Sequence, residues 1–208
     1  MAGRAVREPS LRVDPARVRI QVDGAPVRAE GKVYLMMNKP RGTLTTRVDP
    51  RGRPTVYQHV KDSGLPWVAP VGRLDQASEG LLLFTNDTRW AAALLDPARH
   101  VAKVYHVQIA GLPDEAALTR LRAGVREGGE LLRARAARVL RAGAKNCWLE
   151  IELDEGRNRQ LRRMLGALGF ETLRLLRVAI GPLQLGRLPK GAVRRLTAAE
   201  RDALAAKA

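Results

Sequence analysis

At 208 residues the chain is long enough to bury about 70% of its unfolded surface in a single core, with or without a small appendage. Lys and Arg number 37 against 21 acidic residues, a net charge of +16, and 30 of the 37 are arginine; a polyanion gripped by paired guanidinium donors is the expected partner. No apolar run approaches the roughly 20 residues that span a bilayer, Cys147 stands alone, and His59, His100 and His106 are widely separated, so a membrane span, an internal disulfide and a metal-ligand set are all excluded from the reading. No Gly-rich phosphate loop is present either, so neither a cofactor nor a metal is expected. A uniformly solvated basic surface is the competing explanation of the charge, and the clustering of Arg157, Arg159, Arg162 and Arg163 argues against it.

Residues 1–31 form a polar, Arg-rich arm too small for a core of its own; Met1 to Arg7 is basic but lacks the apolar stretch of a secretory signal. Residues 18–22 read as a strand ending in a turn at Asp23-Gly24. From residue 32 to 208 the pattern changes to short apolar strands separated by helices. A strand over 33–37 is expected to break across Asn38-Lys39-Pro40-Arg41-Gly42. The continuous apolar run 80–85 predicts a central strand, after which Asn86 or Asp87 caps a helix carrying Trp90, Leu94 and Leu95 on one side.

Residues 103–110 alternate, with Tyr105, Val107 and Ile109 on one face. Pro113 and Asp114 open a helix with Ala117, Leu118, Leu121 and Val125 in a stripe. Residues 131–141 suit either a ribbon or a helix. Residues 148–154 alternate with Leu149, Ile151 and Leu153 inward. Asn158 is placed to cap a helix whose inner stripe is Leu161, Met164, Leu165 and Leu168, stopped by Gly169. Strands over 172–180 and 183–185, a turn at Pro189-Lys190-Gly191 and a Thr197/Glu200 capping box complete the chain. Strands outnumber helices in irregular order, which predicts an α+β domain on a mostly antiparallel sheet.

One segment stands out chemically. Asp75 lies in a Gly-bounded loop that runs straight into the apolar strand, so strand burial would fix the backbone while the carboxylate stays exposed in a cleft. An Asx turn capped by Gly80 would fit the same spacing. Gly72-Arg73-Leu74-Asp75 followed by Ser78-Glu79-Gly80-Leu81-Leu82 resembles the catalytic motif of the pseudouridine synthases that modify bacterial ribosomal RNA at single sites. Asn38-Lys39-Pro40-Arg41-Gly42 is similar to that family's first motif, Lys103-Val104-Tyr105 to its Lys-x-Tyr motif, and the stretch from Glu155 to Met164 to its third. Residues 176–181 are also family-like and imply sheet architecture. The four motifs occur in order across about residues 32–196.

The resemblance implies a pseudouridine synthase fold, with a mixed, mostly antiparallel central sheet flanked by helices and an active-site cleft. It implies isomerisation of a uridine in ribosomal RNA, and the chain looks most like large-subunit enzymes; small-subunit RNA is the alternative. Asp75 would act as nucleophile or base, Arg162 would ion-pair with it, and Tyr105 would stack on a base extruded from the RNA, with Leu161 as the opposite wall. Arg73, Lys39, Arg159 and Arg163 would bind the RNA. Tyr105 as plain core and the arginines as an exposed helix face are the bland alternatives. Residues 1–31 resemble the remnant of a small RNA-binding domain named after a ribosomal protein. The expected protein is a cytoplasmic monomer that uses no small-molecule cofactor. A non-catalytic RNA-binding or ribosome-assembly factor and a hydrolase using Glu79 as second carboxylate are the rival readings.

Overall fold

The computed structural model describes residues 5–8, 10–14, 17–27, 30–60 and 64–207; the expectation for Met1 to Arg4 lies outside the described residues. The chain divides into a unit over Met1–Gly31 and a unit over Lys32–Ala208. In the first, β1 (Gln21–Val22) and β2 (Ala25–Pro26) pair antiparallel across Asp23 and Gly24. Both turn residues have positive φ, 50° and 78°, the pattern of a tight hairpin whose twist matches its strands.

In the second unit the strands are β3 (Tyr34–Lys39), β4 (Ala69–Val71), β5 (Glu79–Thr85), β6 (Lys103–Ala110), β7 (Val125–Glu127), β8 (Glu130–Leu132), β9 (Ala136–Ala142), β10 (Asn146–Leu153), β11 (Thr172–Ile180), β12 (Leu183–Gln184) and β13 (Val193–Arg195). The helices are α1 (Thr88–Leu95), α2 (Glu115–Ala123), α3 (Gln160–Ala167) and α4 (Ala198–Lys207). One sheet runs in the order β13-β3-β5-β11-β6-β10-β9, with β12 paired to β11 and β4 to β5. Among the strands of the described residues only the pair β5 and β11 runs parallel, so the architecture is the mixed, mostly antiparallel α+β sheet expected. Among the described residues no helix is long and apolar enough to cross a membrane.

The alternation along the strands divides the core. Leu82, Phe84, Tyr105, Val107, Ile109, Leu149 and Ile151 meet α2 and α3 through Leu118, Leu121, Leu161, Met164 and Leu165. Met36, Leu81, Leu83 and Ile180 meet α1 and α4 through Trp90, Leu94 and Leu204 on the other face. β5 is buried along its whole length because both faces are covered, which is why it reads as unbroken apolar sequence.

Local signals explain most element ends. Asp87 caps α1 by accepting from the N–H groups of Arg89 and Trp90, and Asp114 caps α2 through Ala117. Thr197 and Glu200 exchange hydrogen bonds as a capping box at 3.1 and 2.9 Å. Two expectations are corrected and one left open is decided. β3 continues through Lys39, because Pro40 is the first residue that cannot extend its ladder. Gly124, at φ 119°, ends α2 before Val125, which opens β7 instead. Residues 131–141 resolve into the end of β8 and most of β9.

Candidate active site

The sheet splits along one edge of β5. β11 pairs with it at Glu79 and Gly80, β4 pairs with it from Leu83 to Thr85, and the loop 72–78 between β4 and β5 emerges at the divide. This loop carries Asp75, and its backbone is pinned from several sides. Gly42 N–H donates to the Gln76 carbonyl at 2.8 Å, Thr45 Oγ1 donates to the Leu74 carbonyl at 2.8 Å, and Ser78 N–H donates to the Asp75 carbonyl at 3.0 Å. Loops held this way present a side chain with little positional freedom.

Lys39 is the main pin, and here the structure corrects the expectation that it binds RNA. Its side chain is fully buried, and Nζ donates to the carbonyls of Pro40 (3.1 Å), Asp75 (3.1 Å) and Ser78 (2.9 Å). Burial pulls the ammonium down to about 8, against the opposing pull of Asp75 and Glu79. Lys39→Met should leave three carbonyls without this donor. We expect about 2–4 kcal/mol of lost stability in denaturant titrations, with activity lost as the Asp75 loop slackens.

Asp75 lines a cavity of about 490 Å³ together with Arg73, Tyr105, Arg159, Leu161 and Arg162. Its side chain is 37% exposed, and Arg159 Nη1 lies 3.7 Å from Oδ2. Arg159 precedes α3 in a left-handed conformation, φ 48°, a costly geometry for a residue with a Cβ and a common mark of a functional position. Tyr105 and Leu161 are buried side chains that form apolar wall, and Arg73 is exposed on the loop itself. The cavity thus combines an accessible carboxylate, guanidinium groups and an aromatic ring, which suits covalent or acid-base chemistry on an unstacked base.

The ion pair expected between Asp75 and Arg162 is instead made by Arg159. Arg162 spends Nη1 on the Thr172 carbonyl and Nη2 on the Ala77 carbonyl, both at 3.3 Å. Burial and then Arg159 lower its pKa while Asp75 raises it, so the two groups feel each other without contact. Arg163, expected to bind RNA, turns away from the cavity: it pairs with Glu127 and with Glu130 (2.6 Å) on the β7–β8 hairpin. Asn158 does not cap α3. The helix start is held by buried Gln160, which donates to the Arg133 carbonyl at 3.2 Å and to Glu155 at 2.6 Å.

Glu79, the second carboxylate of the hydrolase reading, is also committed elsewhere. It is buried, with Arg174 Nε and Lys190 Nζ each 2.7 Å away. The Arg174 guanidinium first, and Lys190 with it, hold its carboxyl down to about 2. Because the folded value lies below the unfolded one, this stabilisation is present above about pH 4.5 and is lost as pH falls towards 2. Melting curves between those limits should show a loss on the order of 3 kcal/mol that Glu79→Gln flattens. Thr45 and Gln160 were not legible as site residues, since their contacts come from loops and strands far apart in sequence.

The RNA pseudouridylate synthase family model matches residues 33–167 of the chain. An RNA pseudouridine synthase of Aquifex aeolicus (strain VF5), named as uncharacterized, is 39% identical over 95% of this chain and 80% of its own length. The ribosomal large subunit pseudouridine synthase B of Pasteurella multocida (strain Pm70) is 39% identical over 85% of this chain and 53% of its own, so the chain spans about half of that relative. A crystal structure of a pseudouridylate synthase superposes with a TM-score of 0.75 at 29% identity, covering 97% of this chain and 86% of that one.

Proposed function

Given that the chain belongs to the RNA pseudouridylate synthase family, we propose that it isomerises one uridine of ribosomal RNA to pseudouridine, with Asp75 as the reacting carboxylate. The observation that carries this reading is a single cavity lined by Asp75, Tyr105 and Leu161, with a guanidinium 3.7 Å from the carboxylate. Large-subunit RNA is the substrate this reading favours, because the Pasteurella relative bears that name.

The reaction moves the ribose from N1 to C5 of the base, with no net gain or loss of electrons. Asp75 acts at the sugar, either by bonding C1′ or by taking a ribose proton, and Arg159, 3.7 Å away, lies beside the carboxylate on the cavity wall. Tyr105 and Leu161 hold the extruded base between an aromatic face and an aliphatic one. The same proposal takes the protein to act as a monomer. Action in the cytoplasm, where ribosomal RNA is made in bacteria, and the division into an arm over 1–31 and a catalytic unit over 32–208, belong to the same proposal.

Arg41, Arg47, Arg51 and Arg73 are exposed and form no ion pair among the described residues, so they are available to phosphates. With about 0.7 of a log unit per log of salt for each phosphate neutralised on a single strand, four contacts weaken binding roughly 50-fold between 50 and 200 mM salt. Filter binding across that range checks this, and a flat response would remove the arginines from the RNA footprint. The function itself is tested by mapping pseudouridines in ribosomal RNA from cells with and without the gene. One large-subunit position should lose its modification; an unchanged map would overturn the assignment.

A further inference from the structure

The residues named so far do not account for two cations on the same cavity, Lys103 and Arg177. Arg177 sits on β11 opposite Tyr105 of β6 on one side and opposite Gly80 of β5 on the other. Where β5 parts from β11, Arg177 Nε donates to the Leu81 carbonyl at 2.7 Å and so closes the backbone ladder at the split. That leaves the rest of the guanidinium. The residue is only 6% exposed, and its Nη2 is buried with no acceptor among the described residues. A buried charged donor without a partner is rare enough to require an explanation.

Nothing on the cavity wall supplies one. Neither Lys103 nor Arg177 forms an ion pair among the described residues. Burial, followed by the Arg177 charge, lowers the Lys103 ammonium's pKa, and Asp154 only partly opposes them. Two neighbouring cations therefore repel one another across a space also lined by Leu83, Leu94, Leu153 and Ile180. A buried donor in that setting suits an oxygen atom brought in by a ligand. A backbone phosphate is strongly hydrated and fits better at exposed Arg73 and Arg159. The group that enters beside Tyr105 is the base.

We propose that Arg177, assisted by Lys103, donates to a carbonyl oxygen of the extruded uracil and carries the negative charge of the detached base. This rests on the isomerisation reading above. When the N1–C1′ bond breaks, its electron pair stays on the base, shared among N1, O2 and O4, while C1′ is satisfied by Asp75 or by loss of a ribose proton to it. The pair returns through C5 as the C5–C1′ bond forms, while the Asp75–C1′ bond breaks or Asp75 hands the ribose proton back, so that the carboxylate is regenerated; the C5 proton then leaves and N1 takes up a proton. A donor fixed at a uracil carbonyl would be strongest when that oxygen is most negative, which is the condition for accelerating the step. It also gives a reason for rejecting cytosine if the contact is to O4, because an amino group there would face a donor.

The test uses the full-length protein and a ribosomal RNA transcript containing the target, with single-turnover pseudouridine formation and RNA Kd measured separately. Arg177→Lys should slow the saturated rate by roughly 100-fold and Lys103→Gln by roughly tenfold, with Kd changed less than twofold. Lys103 makes no backbone bridge comparable to that of Arg177, so its variant decides the matter should Arg177→Lys fail to fold. In wild-type protein, replacing the target with 2-thiouridine or 4-thiouridine, whose sulfur accepts hydrogen bonds weakly, should slow one of the two about tenfold; the folded variants should be insensitive to it. Raised Kd with a wild-type saturated rate would mean a phosphate contact and overturn the proposal, as would folded variants with unchanged rates. An inactive wild type would instead sink the isomerisation reading, and this proposal with it.

Discussion

Asp75→Ala is expected to lower single-turnover pseudouridine formation by at least about 10⁴-fold while leaving the fold and RNA binding nearly intact. The loop that carries the side chain is held through its backbone by Lys39, Thr45 and Gly42, none of which bonds the carboxylate. The carboxylate itself is 37% exposed and its ion pair with Arg159 is long, at 3.7 Å, so its removal should cost less than about 1 kcal/mol of stability. Chemistry and structure are thus separable at this position. Rate measurements alongside thermal melts and filter binding check both halves. A melting temperature that drops with the activity would make Asp75 a structural residue.

Gly80→Ala is expected to have the largest effect on stability. Gly80 has φ 102°, and a Cβ there would lie 2.2 Å from the Arg177 carbonyl oxygen and 2.8 Å from its nitrogen. Those atoms are backbone of the adjoining parallel strand, so no side-chain rotation can relieve the clash. β5 and β11 would have to separate at the point where the split sheet forms the cavity. We expect a loss above about 4 kcal/mol and, at 2–4 °C per kcal/mol for a chain of this size, a melting temperature lower by roughly 8 °C or more. Gly42→Ala is the matched control. It has φ 92° but nothing within 4 Å of the added carbon, so only the conformational cost of about 1 kcal/mol should appear.

Elements whose signals are local were legible in the sequence. Residues 103–110, which alternate, and 172–180, read as a strand, are β6 and β11 with the expected bounds, and the Asp87, Asp114 and Thr197/Glu200 caps act where local chemistry places them. β4 and β13 were missed because three-residue strands carry too little periodicity to register. The site follows the same division. Asp75, Tyr105 and Leu161 could be named from ordered motifs, and they line one cavity. The roles of the basic residues could not be read off in this way, since charge pattern says nothing of what lies opposite in space. Lys39 meets three carbonyls, Arg163 meets Glu127 and Glu130, and Arg159 rather than Arg162 reaches Asp75. Arg177 looked like architecture because it belongs to a strand, and its burial on the cavity wall with an unpartnered Nη2 is what singles it out.

Isomerisation must expel the proton on C5 of the target uridine, which neither RNA binding nor glycosidic hydrolysis does. The most direct measurement is therefore release of tritium to water from ribosomal RNA transcribed with uridine labelled at C5. Wild-type protein should release one tritium equivalent per modified site and Asp75→Ala none, with both retaining the RNA. Retention without release by the wild type, or appearance of free labelled uracil, would contradict the account.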